Sequence, residues 1–468
     1  MIVFRHADAH LSSPRAVVTD ARGALQGIQR FWAGAAGLAP PLISHAQGLH
    51  IWDTTGRRYI DVTSGPITVN VGHGNERVLE AMRAQAEQVA FAYPSNFECA
   101  RSTELSLRLA ELAGPGLECA FYVSGGSEAV EKCLQFARRA ALALGQPTRH
   151  KVISRNPSYH GSTRATMVLS ADPGYAPYLI DGPAGIHIPA PLSYRPPAGL
   201  SAAEHAAACA ERLRECIVAQ DPATVLAFIM EPVMGFCGGA AAAPPDYYRR
   251  IRAICDEFGV LLIHDEIVSG AGRTGHFLAS QAWPGARPDF AILAKGLGGG
   301  YFPLAAFLAP TRLVEAVAGT GGFHLGHTHK AHPLACAVGL SVLTETVEGG
   351  LMHGAIALGS YLREQLGRQL RDTLDIVGDV RGCGLLNAIE IVADATTKHM
   401  LPREFDVIGR IQELAREAGL LIYGRRTHAG RFGDWIMVAP PLIATRADLD
   451  EIVAGLHRTL QRYQAELP

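Results

Sequence analysis

Short apolar runs alternate with longer amphipathic stretches along most of this chain, and that alternation predicts a mostly parallel α/β sheet. The runs 119–123, 151–154, 225–230, 260–263, 290–294 and 304–308 are brief, apolar and bounded by polar or Gly-containing segments, as buried strands are. Helical patterns lie between them, including the one after Ser124-Gly-Gly-Ser127 and the one opened by Pro244-Pro245-Asp246. Upstream, residues 48–61 read as a hairpin turning at Thr55-Gly56, and an amphipathic helix is predicted from Glu76 after the chain-breaking Gly72-His73-Gly74-Asn75. The proline-rich stretch 174–199 reads as a long surface excursion. Composition shifts at Gly349-Gly350, and a helix over 356–374, strands over 376–380 and 385–392 and a helix over 405–418 follow. The predicted organisation is a large domain over 70–345. A smaller α+β domain is assembled from the N-terminal segment 1–69 and the C-terminal third, 346–468.

Composition narrows the possibilities. The chain has 468 residues, 48% of them hydrophobic, which is enough for a large core. A net charge of −2, without a basic block, argues against a nucleic-acid partner. No apolar run approaches the roughly 18 residues that a membrane helix requires, and MIVFRHADAHLSS lacks the core of a signal peptide. The nine cysteines include no CxxC pair, which fits reduced thiols and a cytoplasmic setting.

The chemistry sits where the apolar runs stop. Run 260–263 ends in His264-Asp265-Glu266, and run 290–294 ends in Lys295-Gly296. In open α/β sheets ligands bind at the carboxyl ends of the strands. The only lysines are Lys132, Lys151, Lys295, Lys330 and Lys398, so a chain that otherwise uses arginine keeps a lysine at a core strand's end. Lysine has a deprotonable amine suited to Schiff-base chemistry, and arginine does not. An aspartate across the site suits a pyridinium nitrogen. On these two residues alone, a self-satisfied buried ion pair fits as well. The turn Gly125-Gly126-Ser127 offers free N–H groups and a helix dipole to a phosphate, although Ser127 and Glu128 also read as ordinary first-turn residues. Tyr159 follows strand 151–154, where it either stacks on a planar ring or plugs a loop. Glu231 ends strand 225–230 and needs a partner there. His327, His329 and His332 lack metal-ligand spacing, so no metal site is predicted. GAGRTG at 270–275 matches a bare dinucleotide pattern, but it stands apart from its strand.

LLIHDEIVSGAGRTG followed by PDFAILAKGLGGGYFPLAA resembles the signature of the class III pyridoxal-phosphate aminotransferases, a family that also holds ω-aminotransferases, a few decarboxylases and an aminomutase. The likeness extends through Tyr159-His160-Gly161, Glu231-Pro232 and Gly326-His327-Thr328. It implies the fold type I architecture of pyridoxal-phosphate-dependent transferases, with pyridoxal 5'-phosphate as cofactor. It implies Lys295 as the cofactor-linked amine and proton shuttle, and Asp265 on the ring nitrogen. Tyr159 and Ile267 would flank the ring, Gly125, Gly126 and Ser127 would hold the phosphate, and Glu231 would pair with an arginine or sit on the hydroxyl side. Thr328 would reach the phosphate of a neighbouring subunit, which implies a homodimer or a dimer of dimers. Substrates would be a small amine and a keto acid, contacted by Tyr93 and by one of Arg425, Arg426 and Arg431. A decarboxylase or aminomutase is the alternative outcome. Ile67 departs from relatives with a bulky aromatic nearby, and Lys330 departs from the usual small residue.

Overall fold

A computed structural model describes residues 40–179 and 185–468. The expected N-terminal segment is therefore described from residue 40 onward, and residues 1–39 lie outside the described residues. At the centre is a seven-stranded sheet in the order Cys119–Val123, Ala305–Ala309, Phe290–Leu293, Leu261–Asp265, Val225–Met230, Lys151–Asn156, Ile186–Pro189. Ala305–Ala309 runs antiparallel to both of its neighbours, and the pairings from Phe290–Leu293 to Ile186–Pro189 are parallel.

Both faces of this sheet are covered, which is why its strands are apolar throughout rather than alternating. Ile263 and Ile292 join the cluster under the helix Gly126–Ala143, and Leu262 and Phe228 join the cluster under the helices Ala202–Ala219 and Pro245–Phe258. A second, antiparallel sheet runs Val377–Cys383, Leu386–Ile391, Asp434–Val438, Tyr423–Arg426. Leu49, Ile60 and Val62 from the hairpin share one apolar cluster with Leu362, Ile389 and Leu456. Hairpin and C-terminal third therefore bury each other's apolar surface.

Three expectations need correction. The stretch 174–199 is not wholly a surface excursion, because Ile186–Pro189 forms the edge strand of the large sheet. Its proline stands on an edge strand, where a missing N–H is tolerated. Arg425 and Arg426 lie on the strand Tyr423–Arg426, paired with Asp434–Val438, in a stretch where no strand is expected from the sequence. The helix predicted from 356 begins at Leu351, because Gly350 in the left-handed region starts it directly.

Candidate active site

The carboxyl ends of the parallel strands deliver their polar residues into one cavity of about 380 Å³. Asp265 closes the Leu261–Asp265 strand and points to the same side as Ile263, two residues back. It is buried at 4% exposure. Its Oδ2 accepts from His160 Nδ1 at 2.8 Å, and its Oδ1 accepts from the Ile267 amide at 3.2 Å. A carboxylate only accepts, so Nδ1 of His160 carries the hydrogen. His160 Nε2 is buried with no hydrogen-bond partner among the described residues.

Lys295 follows the Phe290–Leu293 strand and opens the short turn Lys295–Leu297 with a φ of +45°, a left-handed value that is uncommon for a side-chain-bearing residue. The next residue must be glycine, because a Cβ on Gly296 would lie 2.2 Å from Asn70 Nδ2. Lys295 Nζ donates to the Pro66 carbonyl at 3.1 Å and sits 4.4 Å from the centroid of the Phe236 ring. Burial pulls its pKa down to about 8, against the opposing pull of Asp265 and Glu231. A neutral amine is thus accessible near neutral pH.

Glu231 is buried beyond the Val225–Met230 strand, and burial raises its pKa. Two amides satisfy it: Tyr159 N at 3.1 Å and Gly235 N at 2.9 Å. The arginine nearby, Arg155, donates to the Glu231 main-chain carbonyl instead of to the carboxylate. On the opposite side, the helix Gly126–Ala143 starts at the cavity wall. The Glu128 carboxylate takes the Ser124 and Gly125 amides at 3.1 and 3.0 Å. The N–H groups of Gly126 and Ser127 are left without an intrahelical carbonyl, at the positive end of the helix. A Cβ on Gly126 would lie 3.0 Å from Ile267 Cδ1, and one on Gly161 would lie 2.3 Å from Ser127 Oγ, so the turn is packed as closely as glycine allows.

An aromatic wall completes the site. Phe236 packs edge-on against Tyr159 at 5.4 Å and against Tyr423 at 5.1 Å. Arg425 donates to the Phe236 carbonyl and is ion-paired with Asp172.

The sequence profile of the family "Aminotransferase class-III" matches residues 34–460. The chain belongs to the class III aminotransferases. It is 36% identical over 432 residues to the diaminobutyrate–2-oxoglutarate transaminase of Halomonas elongata, covering 90% of each chain. It is 31% identical over 432 residues to the putrescine–pyruvate aminotransferase of Pseudomonas aeruginosa, covering 91% of each. Among solved structures it resembles an (S)-enantioselective ω-transaminase from Thermomicrobium roseum, with a TM-score of 0.85 and 35% identity over 91% of this chain and 93% of that one. The ω-transaminase from Pseudomonas jessenii in complex with PMP is similar at a TM-score of 0.85 and 32% identity, covering 92% and 94%.

Class III aminotransferases depend on pyridoxal phosphate. The residues here fit that group. A half-buried amine, a carboxylate fixed on both oxygens, and a turn packed closely at Gly126 and carrying free amides all open on one cavity. Gly125, Gly126, Ser127, Tyr159, Glu231, Asp265, Ile267 and Lys295 all line it. Thr328 is exposed and outside the lining of this chain's own cavity. Tyr93 is 46% exposed and also outside it. The three arginines separate. Arg425 stands behind Phe236, Arg426 pairs with Asp434 and the Leu401 carbonyl, and Arg431 lies over Phe432. His160 and Phe236 carry no site role in the sequence pattern. His160 is quoted within Tyr-His-Gly without a task, and Phe236 reaches Lys295 only through the loop after Glu231.

Among the described residues no cluster of His, Cys, Asp and Glu is arranged to hold a metal ion. No single described helix is long and apolar enough to cross a membrane. One bent pair, Pro333–Glu348 with Leu351–Arg371, passes on length and composition, and most of Pro333–Leu343 is buried inside the protein.

Proposed function

We propose that this class III aminotransferase moves an amino group from an amine or ω-amino acid to a pyruvate-like α-keto acid by a ping-pong mechanism, with pyridoxal phosphate held in the cavity described above. One observation carries the reading: the Lys295 amine, with its pKa lowered to about 8, opens on the same cavity as Asp265 and the glycine turn. The relatives named for putrescine with pyruvate and for diaminobutyrate with 2-oxoglutarate support an amine donor and a keto-acid acceptor.

When bound, the cofactor supplies an electron sink for the charge left as a substrate C–H bond breaks. The protein's part follows from its own groups. Lys295, neutral in a useful fraction near pH 7–8, takes the proton from the substrate carbon and returns it to the other end of the reacting system. Asp265, locked by His160 and the Ile267 amide, holds a proton on the ring nitrogen. Gly126 and Ser127 amides bind the phosphate, with Gly125 shaping the turn. Tyr159, Ile267 and Glu231 line the same cavity, where the first two would flank the ring and Glu231 would face its hydroxyl side. Thr328, exposed on its own chain, completes the phosphate site of a second copy in a homodimer, and the described part of the N-terminal segment, 40–69, joins 346–468 as the small domain around 70–345.

The test is a pair of half-reactions on the purified, cofactor-loaded protein. Adding an amine alone should shift the cofactor's absorbance, and adding pyruvate alone afterwards should restore it. An absorbance that no amine or amino acid alters contradicts the proposal.

A further inference from the structure

A second cavity, of about 400 Å³, lies beside the hairpin that carries Phe236, and it shares no lining residue with the active site. The antiparallel sheet of the C-terminal third supplies its charged wall. Asp379 and Arg381, two residues apart on Val377–Cys383, face the same side, and Glu390 on Leu386–Ile391 stands directly opposite Asp379. Tyr194, Arg195 and Lys398 add to the lining, as do Ala241 and Ala242 from the hairpin pairing of Val233–Met234 with Ala241–Ala242.

The charges in this cleft do not balance. Three cations, Arg195, Arg381 and Lys398, stand against two carboxylates, Asp379 and Glu390. Both carboxylates are already taken. Arg381 donates to Asp379 Oδ2 at 3.0 Å and to Glu390 Oε2 at 2.6 Å, and it also holds the Gly238 and Gly239 carbonyls. Arg195 donates to Glu390 Oε1 at 3.1 Å and to the Lys398 carbonyl. The Glu390 side chain is only 2% exposed, so neither guanidinium can leave it without stranding a buried charge.

Lys398 is the cation left over. Among the described residues its Nζ makes no ion pair; it donates to the Tyr194 carbonyl at 2.7 Å and stands 4.7 Å from the centre of the Tyr194 ring. The Arg195 guanidinium is 5.1 Å from the same ring, so two like charges share one half-buried tyrosine. Lys398 is held there with a φ of +59°, an uncommon value for a side-chain-bearing residue. An ammonium has three donors, and two of these remain for a ligand.

We propose that this cleft is a second ligand site, which takes a small organic monocarboxylate. The carboxylate meets Lys398, and the apolar body of the acid lies against Leu192, Ala241 and Phe432. A dianion brings one negative charge too many beside Asp379 and Glu390, and a neutral molecule leaves the ammonium uncompensated. The volume matches that of the active-site cavity, about 400 against 380 Å³, which is room for an acid of substrate size. The site stands apart from the transamination reading, because the two cavities have no residue in common.

Isobutyrate is the probe, since it has neither an amine nor a keto group and undergoes no amino transfer. Titrated calorimetrically into the cofactor-loaded enzyme, it should bind saturably. Lys398→Gln should raise its Kd about tenfold or more, the equivalent of one charge-assisted hydrogen bond. Isobutyramide, which has the same shape without the charge, should bind about tenfold more weakly or worse, and sulfate should also bind more weakly than isobutyrate. Ala242→Leu fills the cleft without touching a charge and should abolish the binding. It carries the test alone should melting curves show that Lys398→Gln folds poorly. Absence of saturable binding, a Kd that either folded variant leaves unmoved, or equal binding of the amide or of sulfate overturns the proposal. Isobutyrate held only in the active-site cavity would show itself as the unmoved Kd.

Discussion

His264 points away from the cavity that its neighbour Asp265 lines. Strand alternation sends it to the other face of the sheet, where it is fully buried and neither ring nitrogen has a partner among the described residues. Burial, with Arg252 and Arg155 nearby, lowers its pKa from 6.5 to about 3. The unfolded chain therefore binds a proton that the folded chain refuses between about pH 6.5 and 3, and stability drops as pH falls through that window. The slope from this residue is up to about 1.4 kcal/mol per pH unit. His264→Leu should move the acid-unfolding midpoint, followed by circular dichroism, to lower pH; an unmoved midpoint would show that the ring is not the acid-labile group. Lys295 and Asp265 were legible in the sequence because each ends an apolar run, a position that strand geometry alone defines. His160 and Phe236 were not, because loops bring them to the site, and no local pattern encodes those approaches. Asp265→Asn should retain the fold and most cofactor binding while lowering transamination by at least ~10²-fold, the usual worth of a positioned acid–base group. Unchanged rates would make Asp265 a structural partner only.

At the scale of elements, the strands of the large sheet were largely readable from their apolar runs, as were the helices that follow Ser127 and Pro244. The failures have physical causes. Ile186–Pro189 is a four-residue edge strand flanked by prolines, and pairing on one side only asks little of its sequence. Tyr423–Arg426 holds two half-buried arginines, so polarity hid a strand. The turn entering Gly126–Ala143 is tested through Gly161, whose φ is +132° and whose added Cβ would lie 2.3 Å from Ser127 Oγ. Gly161→Ala should push Ser127 aside and raise the Kd for pyridoxal phosphate about tenfold, the equivalent of losing one charge-assisted hydrogen bond. Equilibrium dialysis against the cofactor measures it, and an unchanged Kd would remove Ser127 from the phosphate site.

Across the whole molecule, one buried guanidinium ties distant stretches of the chain together. Arg273 donates to Ser64 Oγ at 3.2 Å, Asn70 Oδ1 at 2.6 Å, the Leu385 carbonyl at 3.3 Å and the Pro440 carbonyl. It stands in the GAGRTG stretch, whose glycines allow this crowded crossing instead of cradling a dinucleotide: a Cβ on Gly272 would lie 2.5 Å from Thr346. Nothing in the sequence marked Arg273, since its partners lie up to 209 residues away. Arg273→Met keeps the volume but leaves buried acceptors unmet, and should destabilise the protein by about 2–4 kcal/mol in denaturant unfolding. A loss under about 0.5 kcal/mol would mean that apolar packing alone holds the hairpin and the C-terminal third in place.

All of these arrangements converge on one amine. Borohydride treatment of the cofactor-loaded protein, followed by peptide mass mapping, reads its identity directly. A pyridoxyl adduct is expected on Lys295 and none in Lys295→Ala, which should also lose at least ~10²-fold in amino transfer. An adduct on Lys132, Lys151, Lys330 or Lys398, or no adduct at all, would contradict it.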